Sequence, residues 1–134
     1  MFVLDNTLLS DYLDGDPAAK EFLKQYEHEP WAVSALVLYE ALMGCVHGYI
    51  GGSPRTVQQA VTSSMTVLDV TTATALEATR LQEELLEMGV PADHPDALIA
   101  ASAREHGGIF GTAEKHFWKD EVQSVMKVAE YDPH

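Results

Sequence analysis

The apolar residues of this chain fall into short runs separated by longer stretches in which they recur every three or four positions. The short runs, at residues 2–4, 31–33, 66–70, 109–111 and 125–128, predict five buried strands. Helical spacing predicts helices near residues 8–13, 22–26, 35–46, 56–63, 71–88 and 95–105. Strands that alternate with helices are typical of a parallel sheet with helices on both faces. The pattern therefore predicts an α/β fold in three layers, α/β/α, around a short central sheet that is mainly parallel.

Capping residues mark where several of these helices begin and end. Ser34 is a favourable N-cap for the helix after the second strand, and Thr71 or Thr72 is the expected cap of the longest helix. Gly89 is expected to close that helix. All 134 residues together have the length of one domain, and no repeat or linker divides them.

Composition excludes several kinds of site and location. Cys45 is the only cysteine, which excludes an intramolecular disulfide and a zinc site built from several cysteines. No apolar run has the length of a membrane span, and residues 1–5 lack the basic region of a signal peptide. We therefore expect the protein to act in the cytoplasm. The histidines lack the spacing of a zinc protease, and we expect them in solvated or capping roles.

The chain is strongly acidic. Eight lysines and arginines stand against 21 aspartates and glutamates, which gives a formal net charge of −13 at pH 7. A protein that grips nucleic acid through its phosphates usually presents a basic surface. Taken alone, the charge therefore argues against an RNA or DNA partner.

Four acidic residues from separate parts of the chain are expected at one edge of the sheet. Asp5 ends the first strand, Glu40 lies in the helix after the second, Asp96 opens a later helix, and Glu114 follows the fourth strand. Ligands bind at the carboxyl edge of a parallel sheet. Carboxylates that converge there repel one another unless a cation neutralises them. Mg²⁺ or Mn²⁺ with oxygen ligands is suited to that role and to the hydrolysis of phosphodiesters.

Each carboxylate also has an ordinary structural explanation. Asp5 is a common turn former at a strand end, and Glu40 is compatible with a solvent-facing helix position. Asp96 and Glu114 suit the first turn of a helix, where they complement the helix dipole. Asp93 is a natural N-cap. The order of the acids and the motifs around them, rather than any single residue, favour a functional site.

Motifs occur in four segments spread over nearly the whole chain. Residues 3–9 have the sequence Val-Leu-Asp-Asn-Thr-Leu-Leu, and residues 34–44 run from a serine through Glu-Ala-Leu to a glycine. Residues 96–103 are Asp-Ala-Leu-Ile-Ala-Ala-Ser-Ala, and residues 111–117 are Gly-Thr-Ala-Glu-Lys-His-Phe. In this order the segments resemble the PIN-domain nucleases, and among them the VapC-type toxins of toxin–antitoxin pairs. The third segment is similar to the family's most specific stretch, Asp-x-Leu-Ile-Ala-Ala-x-Ala.

The resemblance implies a set of metal ligands. By this resemblance, Asp5, Glu40 and Asp96 are the expected ligands of Mg²⁺ or Mn²⁺. Glu114 is the expected fourth acid of the site. Glu114 departs from the family pattern, where aspartate or asparagine is usual, and its longer side chain reaches further. Asp93, three residues before Asp96, is an alternate fourth carboxylate.

The resemblance also implies an activity and partners. Thr7 and Thr112 would supply hydroxyl groups that orient the ligands or the attacking water. The expected function is metal-dependent hydrolysis of RNA phosphodiester bonds by a VapC-like toxin. Such proteins imply a homodimer and a small VapB-like antitoxin that covers the acidic site. In such a pair the antitoxin would contain the DNA-binding region of the complex, so no direct DNA binding is expected of this chain.

Three other interpretations remain open. A PIN-type nuclease of RNA processing without an antitoxin would keep the same acids. A degenerate PIN module would bind a partner without cleaving RNA. The atypical residue at Glu114 is compatible with this interpretation. A phosphatase with Asp5 as nucleophile is disfavoured, because Thr7 stands where a second acid would be expected.

High salt would make the acidic composition compatible with an RNA substrate. Repulsion within the chain, and between the chain and RNA, is screened strongly at molar salt. The sequence therefore predicts a halophilic protein. The competing explanation is an acidic toxin neutralised by a basic antitoxin.

Overall fold

A computed structural model describes residues 1–133. Its strands form one sheet in which every pair is parallel, in the order β3-β2-β1-β4-β5. The strands are β1 (Phe2–Leu4), β2 (Trp31–Ser34), β3 (Thr66–Leu68), β4 (Ile109–Thr112) and β5 (Val128–Glu130). β1 is central, with Val3 paired to Ala32 on one side and to Phe110 on the other. The α/β class and the parallel sheet predicted from the sequence are confirmed.

Within the described residues, seven α-helices connect the strands. They are α1 (Asn6–Leu13), α2 (Pro17–Lys24), α3 (Ala35–Val46), α4 (Pro54–Ser64), α5 (Thr72–Glu87), α6 (His94–Glu105) and α7 (Asp120–Gln123), with a 3₁₀ turn at Lys115–Trp118. Ser34 and Thr71 cap α3 and α5 as predicted, since their side chains accept hydrogen bonds from the backbone of the first turn. None of the helices within residues 1–133 is long and apolar enough to cross a bilayer.

The chain reverses its direction across the sheet after β3. From β1 to β3 each new strand is added on one side of β1, and β4 and β5 are then added on the other. Because parallel crossovers are right-handed, this reversal puts the helices of the two halves on opposite faces. β1 is therefore covered on both sides, and Phe2, Val3 and Leu4 are fully buried. Ligands bind where the strand order reverses, which here is between the carboxyl ends of β1 and β4.

The predicted fifth strand was misplaced. Residues 125–127 are not in a strand; β5 begins at Val128 and ends at Glu130. The apolar residues Val122, Val125 and Met126 have helical spacing and pack their side chains into the core from α7 and the turn after it. Sequence reasoning treated the end of this helical pattern as the start of a strand. The third strand also ends two residues early, at Leu68, and leaves Val70 exposed.

Candidate active site

The carboxyl ends of β1 and β4 are joined through one buried carboxylate. Asp5 follows β1 directly and is only 4% exposed. Its Oδ2 accepts hydrogen bonds from the Thr112 hydroxyl at 2.7 Å and from the Ala113 N–H at 2.8 Å. Its Oδ1 accepts from the Leu8 N–H at 2.8 Å, which makes Asp5 the N-cap of α1. The orientation of this carboxylate is therefore fixed by three donors from two segments.

Burial raises the pKa of Asp5. The three hydrogen bonds act in the opposite direction, and the negative charge of Glu114 adds to the increase. A buried carboxylate with a raised pKa is a charge that the surrounding protein does not compensate fully. Such groups occur at functional sites more often than elsewhere.

The pKa values of Asp96 and Glu40 are raised as well, although Asp96 is only half-buried and Glu40 is exposed. Asp96 lies in the first turn of α6, and burial, followed by the repulsion of Glu114 and Asp93, raises its pKa. Glu40 lies on α3, and loss of solvent around its carboxylate raises its pKa, with smaller contributions from Asp96 and Asp5. Acids from four segments therefore act on one another electrostatically, as expected for side chains that share one edge of the sheet.

A cavity of about 170 Å³ lies at this edge. It is lined by polar side chains from β1, α1, α6 and the end of β4, and by a few apolar ones beneath them. Asp5, Asp96 and Glu114 all line it, so three of the four predicted acids share one cavity. Glu40 lines the neighbouring groove of about 340 Å³, which has Asn6 and Thr7 in common with the cavity.

Asn6 connects Glu40 to the rest of the site. Its side-chain N–H donates to Glu40 Oε2 at 3.1 Å, which ties α3 to the start of α1 beside Asp5. Sequence reasoning gave Asn6 no role, although it is the residue directly after the strand-end acid. The only available signal was an amide at that position, and its partner depends on how α1 and α3 pack.

The predicted hydroxyl residues occupy different environments. Thr112 is buried; it donates to Asp5 and accepts a hydrogen bond from the Glu114 N–H at 2.9 Å. Thr112 therefore links the two acids through one hydroxyl. Thr7 is exposed and lines both the cavity and the groove, so its hydroxyl is open to solvent and to ligands.

Comparison with known proteins identifies the family. The sequence matches the family model of the PIN domain over residues 2–120. The chain belongs to the PIN domain family. The match covers all four segments that carry the motifs, and the resemblance inferred from them is confirmed at this level. PIN domains are generally nucleases. No curated protein matches the chain.

Solved structures with the same fold include a chain of a toxin–antitoxin complex. A toxin–antitoxin complex from Klebsiella pneumoniae has a TM-score of 0.76 at 21% identity, covering 100% of this chain and 98% of that chain. VapBC2 from Rickettsia felis, bound to a DNA fragment from its promoter, has a TM-score of 0.74 at 17% identity, covering 98% of both chains. FitAB bound to an IR36 DNA fragment has a TM-score of 0.79 at 19% identity, covering 100% of this chain and 96% of that chain. At these identities the likeness establishes the PIN fold.

The donor chemistry of this PIN site fits a hard divalent cation. Within residues 1–133, none of Asp5, Glu40, Asp96 and Glu114 forms a salt bridge with lysine or arginine. In the same part of the chain, no three His, Cys, Asp or Glu side chains are already arranged to hold an ion together. Mg²⁺ is typically bound through one or two carboxylates while it keeps several waters. Uncompensated oxygen donors around an open cavity suit that mode, whereas a closed structural metal site would need a preformed cluster.

Two sequence interpretations gain detail around α6. Asp93 is the N-cap residue of α6, as its position predicts, but its side chain makes no capping hydrogen bond. Instead Asp93 lines a cavity of about 260 Å³ together with Asp96, Glu114 and His116. His116 was expected in a solvated or capping role. Its Nε2 lies 3.0 Å from the Val90 carbonyl oxygen, which places the ring at the rim of the acidic site.

The hydrogen bonds of Asp5 give a stability prediction for this PIN domain. Asp5→Asn and Asp96→Asn each remove one negative charge that burial and repulsion disfavour. Only Asp5→Asn also turns an amide NH₂ toward a backbone N–H that had an acceptor, at Leu8 or Ala113. An unsatisfied buried donor costs about 1–3 kcal/mol. Urea unfolding without metal should therefore find Asp5→Asn less stable than Asp96→Asn by about 1–2 kcal/mol. Equal stability would contradict the prediction and show that the loss of one acceptor at Asp5 costs nothing in folding.

Proposed function

We propose that this chain is a metal-dependent endoribonuclease and the toxin of a type II toxin–antitoxin pair. The observation that carries the proposal is the convergence of Asp5, Asp96 and Glu114 on one cavity, with Glu40 beside it. The acids come from separate segments, the pKa values of three of them are raised, and no lysine or arginine within residues 1–133 forms a salt bridge with them. Such an arrangement costs stability, and binding a cation offsets that cost.

The proposed ligands have different degrees of order. Asp5 is held rigidly, and its Oδ1 accepts only one hydrogen bond, so it keeps acceptor capacity toward the cavity. Asp96 lies beside it, and Asn6 orients Glu40 from the neighbouring groove. Mg²⁺ or Mn²⁺, when bound, would neutralise charge on the phosphodiester and lower the pKa of the attacking water.

Thr112 acts as a positioning residue in this proposal. Its hydroxyl donates to the proposed ligand Asp5 and accepts from the backbone N–H of Glu114, so it positions the backbone from which the Glu114 side chain extends. The exposed hydroxyl of Thr7 is available to the substrate or to the attacking water. Since the site is open to solvent, water reaches it without a conformational change.

The partner assignment rests on charge and on the structural neighbours. Several solved chains of this fold come from toxin–antitoxin complexes. A chain with a net charge of −13 favours a basic protein segment over its acidic site. We propose such an antitoxin together with a homodimer of this chain, and we assign DNA binding to the antitoxin. A small reading frame for a basic protein directly upstream would support this over a nuclease that acts alone.

The identity of the fourth acid is tested by comparing the cleavage rates of single carboxylate variants. Glu114→Gln should lower RNA cleavage less than Asp96→Asn does, because Glu114 is exposed and reaches the cavity on a longer side chain. Asp93→Asn should lower cleavage least, because Asp93 is exposed and does not line the cavity that contains Asp5. Cleavage rates at saturating Mn²⁺ measure the order. A larger loss in Asp93→Asn than in Glu114→Gln would make Asp93 the fourth acid.

The activity itself is tested with purified protein and RNA. Single-stranded RNA should be cut internally in the presence of Mn²⁺ or Mg²⁺, remain intact with a chelator, and be cut again when excess Mn²⁺ is restored. RNA that stays intact in every condition, with a folded protein, would favour a PIN module that binds without catalysis.

A further inference from the structure

The groove beside the carboxylate cavity has an aromatic rim that the proposed chemistry does not use. Its lining includes Asn6, Thr7, Glu40, Gly44, Tyr49 and Ile50. Asn6 and Thr7 also line the carboxylate cavity, so the groove and the cavity adjoin at these two residues. A polymer whose phosphodiester occupied the cavity would place a neighbouring unit in this groove.

Tyr49 is held at the rim by the way α3 ends. The Tyr49 N–H donates to the Gly44 carbonyl at 2.8 Å, and the Gly48 N–H donates to the Cys45 carbonyl at 3.1 Å. Gly48 has a φ of +78°, the left-handed conformation that favours glycine. These are the features of a Schellman motif, which fixes the chain direction after a helix. The backbone of Tyr49 is therefore preorganised.

The floor of the groove also depends on close packing. Ile50 is buried against α3, and a Cβ at Gly44 would lie 2.8 Å from Ile50 Cδ1. While Ile50 points inward, Tyr49 remains 83% exposed. An aromatic side chain that stands on a fixed backbone and contributes almost no area to the core is available to a partner.

RNA binding by this chain needs a contribution other than phosphate neutralisation. The net charge is −13, and two of its eight cations are already paired within the protein. Arg80 pairs with Glu77, and Arg104 pairs with Glu77 and Glu84. Stacking of bases on aromatic side chains does not depend on charge and occurs with single-stranded RNA of any sequence.

We infer that Tyr49 is a stacking platform for a nucleobase of single-stranded RNA whose phosphodiester lies in the carboxylate cavity. The inference rests on the proposed ribonuclease function and specifies how its substrate is held. The nearby ring of His47, 5.9 Å from that of Tyr49, extends the aromatic rim. Asn6 and Thr7 line both the groove and the cavity, so they would contact the RNA between the stacked base and the phosphodiester.

The test compares three variants in the presence of Mn²⁺ with a single-stranded RNA analogue whose linkages resist hydrolysis, so that the acids are neutralised and no RNA is cut. Binding of a fluorescein-labelled single-stranded RNA is followed by anisotropy, and stacking by the quenching of 2-aminopurine in the same sequence. Tyr49→Ala should bind roughly 10-fold more weakly and lose the quenching, given the usual contribution of one stacked base. Tyr49→Phe should bind as the wild type does, because it keeps the ring. Tyr39→Ala is the matched control, since Tyr39 is 60% exposed on α3 but does not line the groove.

The outcomes separate this inference from the proposed function. If the wild type cleaves RNA but Tyr49→Ala binds RNA as tightly as the wild type, the stacking inference fails and the ribonuclease proposal stands. If Tyr49→Ala loses binding of a basic antitoxin peptide and keeps RNA affinity, the groove belongs to the protein partner and the inference is overturned. A wild type that binds RNA with quenching but never cuts it would overturn the catalytic proposal alone.

Discussion

Asp96→Asn is expected to lower RNA cleavage by roughly 100-fold or more, because loss of a ligand charge removes several kcal/mol of metal-dependent stabilisation. The same variant should not lose stability in the absence of metal. Burial and the charges of Glu114 and Asp93 raise the pKa of Asp96 in the folded protein. A carboxyl group with a raised pKa contributes stability that is present below its unfolded pKa and is lost as the pH rises through the folded pKa. At pH 7 the ionised group therefore opposes folding, and its removal is neutral or stabilising.

Cleavage assays and thermal unfolding of the same preparations measure both halves of this prediction. Glu83→Gln on α5 is a suitable control, because it removes one exposed charge and lines neither the cavity nor the groove. A folded Asp96→Asn protein that cuts RNA at nearly the wild-type rate would remove Asp96 from the active site. A clear loss of stability without metal would instead assign it a structural role.

The second large effect is expected from salt. The melting temperature of the isolated chain should rise strongly with KCl from tens of millimolar to several molar. The cause is the net charge of −13, which opposes the compact state through self-repulsion. At 1 M salt the Debye length is about 3 Å, so only charges in contact still repel one another. The carboxylates at the site add to this effect, since their pKa values are raised partly by one another.

Thermal unfolding across a KCl series measures this prediction without RNA or antitoxin. Repeating the series with a basic antitoxin bound separates the two explanations of the acidic composition. A steep rise for the isolated chain indicates adaptation to high salt. A flat or falling curve would contradict it, and stabilisation only by the antitoxin would favour neutralisation by that partner.

The sequence predicted the parts of the fold that depend on local patterns. β1 is apolar at every position because it is buried on both faces, and an acid at its end marks the edge of the sheet. Ser34 and Thr71 are caps whose hydrogen bonds lie within four residues of the chain. β5 was misplaced because residues 122–126 have helical spacing next to a strand of only three residues.

The site was predictable as a set of acids but not as an arrangement. The hydrogen bond from Thr112 to Asp5 spans 107 residues of sequence, and the one from Asn6 to Glu40 depends on the packing of α1 against α3. Asp93 is the N-cap of α6, as its residue type and position predict, but its side chain makes no capping hydrogen bond. Local sequence identifies chemistry-bearing residues, whereas their partners follow from tertiary contacts that no short pattern contains.

Direct titration with Mn²⁺ tests the central claim, that the converging carboxylates form a divalent-cation site. Calorimetry in high KCl, which suppresses non-specific binding to an acidic surface, should show a saturable site on the wild type and the same affinity for Glu83→Gln. Asp96→Asn should bind Mn²⁺ more than about 10-fold more weakly, since loss of even an outer ligand partner has at least that effect. Equal Mn²⁺ affinity in all three proteins would contradict the account.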